Sequence, residues 1–166
     1  MRSDGLAAGV LAIGAGGLLA GAYAFQYIGG LPPCEMCWWQ RYALMAVLFL
    51  SVDALVLARA GQRRPGQGLA RIAPLLLALA FIALAANIGI AIFHAGVEQH
   101  WWQGITRCTA APVAGSAADV MADIMSQPLV RCDAIPWSMG GVSMAGWNAI
   151  TSTLFGGVAL WLTARR

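Results

Sequence analysis

Apolar residues in this chain run in long unbroken blocks, and neither a period of two nor a half-polar helical stripe describes them. Four blocks, near residues 6–27, 38–58, 72–95 and 139–162, each reach the roughly 20 apolar residues needed to cross the core of a bilayer. Backbone groups in lipid must find partners within their own segment, so each block is predicted to be helical. The expected fold is all-α: one membrane domain over residues 1–166, a four-helix transmembrane bundle with outward loops near 29–37 and 96–137. Within the second loop Val120, Met121, Ile124 and Met125 recur at helical spacing against Asp119 and Asp123. That pattern predicts a short amphipathic helix near 116–125, lying on the outer membrane surface.

Composition supports a membrane protein. The chain is 60% hydrophobic and 10% charged, against about 25% charged in soluble domains. Orientation follows from arginine, since lysine is absent. Arg2, Arg59, Arg63, Arg64, Arg71, Arg165 and Arg166 belong to the termini and the middle loop, and only Arg41, Arg107 and Arg131 to the other side. The positive-inside rule then places both termini in the cytoplasm. The net charge of +3 reports this topology, and nucleic acid is not an expected partner. The uncharged run from Gly5 to Ile28 exceeds the roughly 7–15 residues of a signal-peptide apolar core, so the first block is expected to remain as a span.

All four cysteines fall in the two outward loops: Cys34 and Cys37 in the first, Cys108 and Cys132 in the second. Cysteines confined to the oxidising side argue for disulfides or for exchange between them, and four allow three connectivities. Zinc is not expected, because the second pair is widely separated and neither His94 nor His100 falls at a ligand spacing. Taken alone, Cys108 and Cys132 read as a loop staple. A two-residue spacer makes Cys34–Cys37 a poor staple, since closing so short a loop removes little chain entropy. A small exchangeable disulfide is the better reading. Pro32 and Pro33 favour a helix start there, and the positive helix end would stabilise a thiolate. Arg41 lies one turn beyond Cys37, where a buried guanidinium needs a partner or a task. It can serve the thiolate, or donate to the carbonyl oxygen of a quinone as charge develops there. His94 is expected where the third span ends at the outer surface, as a candidate for the same site. Trp38, Trp39, Trp101, Trp102 and Trp137 suit an outer aromatic belt.

The combination Cys34-x-x-Cys37-x-x-x-Arg41, four spans and a separated cysteine pair in the second outer loop resembles the DsbB disulfide-bond formation proteins. Trp101-Trp102 before Cys108, Pro136-Trp137 after Cys132, and the run Ser143-Met144-Ala145-Gly146-Trp147-Asn148 add to the likeness. The resemblance implies an inner-membrane thiol oxidase that regenerates a periplasmic DsbA-like thioredoxin-fold protein and passes two electrons to ubiquinone or menaquinone. It implies that Cys108 and Cys132 exchange with the partner, Cys108 forming the mixed disulfide. Cys34 then exchanges with the loop pair, Cys37 faces the quinone, and Arg41, with His94, assists quinone binding. A partner that is already a strong oxidant needs an acceptor stronger than glutathione, which a quinone supplies. Two rivals remain at this stage. One is a vitamin K epoxide reductase-like bundle, disfavoured because its CxxC comes late in the chain. The other is a structural or transport protein whose outer loops are merely stapled.

Overall fold

Apolar blocks without an interior proline can close their own backbone hydrogen bonds. The computed structural model describes residues 2–63, 72–106, 116–126 and 130–165. The blocks form α1 (Arg2–Tyr27), α2 (Glu35–Arg63), α3 (Ala73–Glu98) and α5 (Met144–Ala164), with the short α4 (Ala117–Ser126) between the last two. Three of them, α1, α2 and α3, are long and apolar enough to cross a membrane. The chain is thus a mostly helical, multi-pass membrane protein.

The four long helices pack in a ring: α1 on α2, α2 on α3, α3 on α5, and α5 back on α1. Small side chains fill much of its interior, with Ala7, Ala8, Ala15, Ala80 and Ala159 buried beside Leu11, Leu44, Leu77 and Leu84. Gly14 receives the Phe155 ring, and a Cβ there would stand 2.6 Å from it; a Cβ on Gly156 would stand 2.7 Å from Leu84. These two glycines let α5 approach α1 and α3 closely, the packing that works where lipid removes the hydrophobic drive between helices. Bulky residues such as Ile13, Phe49, Ile82 and Leu154 face outward, an exterior suited to lipid rather than water.

Three of the departures from the expected boundaries bear on the site. α2 begins at Glu35, so the CxxC enters its first turn. α3 continues past residue 95 to Glu98, which leaves His94 inside the helix rather than at its end. The fourth block does not become helical at 139. Strand β1 (Ser138–Met139) pairs antiparallel with β2 (Val142–Ser143), Met139 opposite Val142. The turn uses Gly140 and Gly141 at φ 61° and 78°, positions that glycine takes without a Cβ penalty. α5 then starts at Met144, where the Ser143 hydroxyl accepts the Gly146 N–H at 3.1 Å. The Trp147 indole N–H bonds the Met139 carbonyl at 3.1 Å and ties hairpin to helix.

α4 occupies the segment expected to be an amphipathic helix. Asp119 accepts hydrogen bonds from the Ser116 backbone N–H at 2.9 Å and hydroxyl at 2.6 Å. Those donors, the hydroxyl above all, hold the Asp119 carboxyl below the usual carboxylate range. Met121 and Met125 stand exposed.

Candidate functional site

Two prolines end the connection from α1, and Cys34 takes the capping position of α2. The Cys34 sulfur accepts the Cys37 backbone N–H at 3.3 Å, and the Cys34 carbonyl accepts the Trp38 N–H at 3.2 Å. The Cys34 thiol donates to the Cys37 sulfur at 2.9 Å, a contact beyond the roughly 2.05 Å of a covalent S–S bond. Cys132 is fully buried and packs with Cys34, Met36 and Val97 in a small cluster at this end of the helices. The Thr106 hydroxyl donates to the Cys132 sulfur at 3.4 Å. The structure therefore gathers three of the four cysteines around one point, although Cys132 is 95 residues from Cys37 in sequence. Cys108 lies outside the described residues.

A helix N-terminus was expected to stabilise the motif's thiolate. For Cys34 the sulfur neighbours and burial outweigh it. Its hydrogen bond with Cys132, then that with Cys37, then burial push the Cys34 thiol well above the ordinary thiol range.

His94 comes to the CxxC from α3. Its Nε2 lies 3.6 Å from the Cys34 sulfur and 3.9 Å from Glu98 Oε1, and its Nδ1 lies 2.8 Å from Gln40 Nε2. Gln40 is held in turn by Asn148, whose Nδ2 donates to Gln40 Oε1 at 2.6 Å, and Asn148 Oδ1 accepts from Asn87 Nδ2 at 3.1 Å and the Ser152 hydroxyl at 2.9 Å. All of these side chains are buried. The ligand atoms of Cys34, Cys37 and His94 lie within 4.8 Å of one another, an arrangement able to hold a metal ion. The spacing rule that set zinc aside does not see this contact, because His94 is 57 residues from Cys37 in sequence and meets it only through helix packing.

Arg41 is 5% exposed and anchored by α1 rather than by an acid. Its guanidinium donates to Gln26 Oε1 and, at 3.0 Å, to the Ala22 carbonyl. It lies 4.8 Å from the Tyr23 ring centre and 5.0 Å from that of Trp38, so two aromatic faces share its charge. Arg131, beside Cys132 in sequence, holds an acid: its Nε donates to Asp133 Oδ1 at 2.8 Å. The Asp133 carboxyl is held below its ordinary range by that bond.

A cavity of about 540 Å³ lies between α1, α2, α3, α5 and the chain leading to the hairpin. Cys34, Cys37, Arg41, His94, Glu98, Phe25 and Trp137 are on its wall. The last two ring centres lie 4.8 Å apart. Gly17 and Gly21 also line the cavity, and a Cβ on either would meet nothing. Trp102 stacks on Phe93 at 5.8 Å over Gly96. Gln40, Glu98 and Asn87 were not singled out from sequence, and Asn148 stood out only as the end of the motif run from Ser143. Their signal was there, since polar side chains inside apolar blocks are costly and need partners.

The family model for disulfide bond formation protein DsbB matches residues 4–162. Among curated relatives, disulfide bond formation protein B of Marinobacter nauticus is 30% identical over 159 residues, 90% of this chain and 86% of that one. The protein of the same name in Aromatoleum aromaticum is 31% identical over 165 residues, covering 95% and 90%. That of Xanthomonas campestris pv. campestris is 32% identical over 152 residues, covering 87% and 80%. No solved structure matches the chain.

Proposed function

The chain belongs to the DsbB family of disulfide bond formation proteins, and from that premise we propose that it is a quinone-dependent thiol oxidase. In this reading α5 is a fourth span, both termini lie in the cytoplasm, and the cysteine loops face the periplasm across the inner membrane. The partner is a DsbA-like thioredoxin-fold protein whose dithiol exchanges with Cys108–Cys132, Cys108 forming the mixed disulfide. The released Cys132 sulfur attacks Cys34, its neighbour in the buried cluster; the Cys34–Cys37 bond breaks, a Cys34–Cys132 bond forms, and Cys37 leaves as a thiolate.

The observation that carries this reading is the CxxC opening, through Cys37, onto an apolar cavity whose wall also holds Arg41. That wall suits a quinone head group: rings at Phe25 and Trp137, open space at Gly17 and Gly21, and one fixed cation. Ubiquinone or menaquinone, held there by Cys37 and Arg41, would supply a two-electron, two-proton acceptor. Arg41 needs no rearrangement to act, because α1 already holds its planar fork, and a positioned cation stabilises negative charge best when it is fixed beforehand. Burial of Cys34 and Cys132 limits their side exchange with soluble thiols.

The test is quinone absorbance in detergent-purified protein after addition of a reduced DsbA-like protein. Stoichiometric quinone loss that disappears in Cys37→Ser and in Cys108→Ser supports the two-pair relay. Loss that survives Cys108→Ser removes the loop pair from the route. No loss with either quinone type returns the molecule to a stapled membrane protein.

A further inference from the structure

Glu98 has no task in the relay just described, yet it is one of the least comfortable groups in the molecule. Its side chain is 2% exposed, it lines the cavity beside the sulfurs, and its Oε2 is buried without a hydrogen-bond partner. A carboxylate in such a place is costly unless it has a use for its proton.

The neighbouring network singles it out further. An amide nitrogen can only donate, so Gln40 Nε2 at 2.8 Å makes His94 Nδ1 an acceptor and places the ring proton on Nε2. Gln40 cannot turn over freely. Its Oε1 is occupied by Asn148 Nδ2, and Asn148 Oδ1 by Asn87 and Ser152. In this amide orientation the His94 Nε2–H is aimed between the Cys34 sulfur at 3.6 Å and Glu98 Oε1 at 3.9 Å. Arg41 and Arg131, also on the wall, are permanent cations and accept nothing. Glu98 is the one carboxyl among the described cavity-lining side chains, and besides the thiols only it and His94 can both take and give a proton.

We infer that Glu98 is the proton-transfer group of the site, exchanging a proton with the CxxC thiols and with whatever accepts their electrons in the cavity. The inference rests on the quinone reading for the second half of that exchange. Oxidation of two thiols to a disulfide releases two electrons and two protons, and reduction of a quinone consumes two of each. Glu98 takes the two protons in turn from the thiol pair and yields each to the reduced acceptor, so neither needs to cross the apolar wall. Gln40 and Asn148 are positioning residues, acting through the His94 tautomer.

The experiment uses full-length protein in two measurements. The first is the infrared difference spectrum between reduced and oxidised thiols in quinone-free protein, in H2O and in D2O. A carboxylic C=O band that shifts in D2O and is missing from Glu98→Gln is the expected result. The second is quinone reduction by a reduced DsbA-like protein, where Glu98→Gln lowers the rate by about 10²-fold or more, the usual range for a positioned acid or base. Mixed-disulfide formation with the partner should be unchanged. Glu98→Asp, which retains a carboxyl, keeps a weakened band and recovers part of the rate. A band that persists in Glu98→Gln, or a rate within twofold of the parent, overturns the inference while leaving the oxidase reading intact. A Glu98-dependent band in a protein that reduces no quinone supports the exchange with the thiols and overturns delivery to a quinone.

Discussion

Arg41 illustrates how a side chain's worth is set by what holds it. Two hydrogen bonds to α1 and two ring faces keep the guanidinium in one place at the cavity wall. Lysine keeps the charge but has no planar fork for those partners. Arg41→Lys is expected to lower the quinone-reduction rate by about 10-fold or more, since one lost charge-assisted hydrogen bond is worth about 1.5–3 kcal/mol. Steady-state kinetics at saturating partner measure it, and a rate equal to the parent's would remove Arg41 from the reaction. Asp133 offers a pH test beside Cys132. Its folded pKa is lowered by Arg131, so the contact's contribution is complete above the usual carboxylate range and disappears as pH falls through the folded value. Half-exposed pairs contribute about 0–1 kcal/mol, so the thermal midpoint in detergent should carry no loss from this pair between neutral pH and about pH 5, and a loss worth at most about 1 kcal/mol only below about pH 4. Asp133→Asn should abolish that part of the pH dependence.

The start of α5 and the end of α3 are where single elements bear on the site. Ser143 caps α5 just after the glycine turn. Ser143→Ala is expected to cost about 1 kcal/mol, read as a lower thermal midpoint in detergent. Gly96 lies under the Trp102 ring, and a Cβ there would stand 2.0 Å from it. Gly96→Ala must displace the indole, whose N–H bonds the Phe93 carbonyl at 2.9 Å. A loss of about 1–3 kcal/mol, typical of overpacking, is expected, together with a changed Trp102 fluorescence environment. An unchanged midpoint and spectrum would show that Trp102 packs elsewhere in solution. The hairpin before α5 was hidden in the sequence because residues 138–143 carry no charge and merge with the apolar block behind them. Only the paired glycines hinted at a turn, and in a chain with 20 glycines that hint is weak.

Orientation belongs to the assembled protein in its membrane. With both termini cytoplasmic, a cysteine introduced at Ala164 should resist an impermeant maleimide applied from the periplasmic side, and one at Ser116 should react. The reverse pattern would invert the proposed topology and remove the partner's access to the loops. Membership of the DsbB family, the membrane character of the chain and the pairing of a CxxC with Arg41 one turn later were legible in sequence, because they are carried by composition and by spacings within one helix. The meeting of His94 and Cys132 with Cys34 was not, and neither was the series from Asn87 through Asn148 and Gln40 to His94. Those contacts join residues 54 to 108 positions apart, and their existence depends on how α2, α3 and α5 are turned about their own axes. Blocks apolar on every side leave that rotation undetermined. It is set by where small residues let helices approach and where buried polar groups find partners, which is information that exists only once the helices are packed.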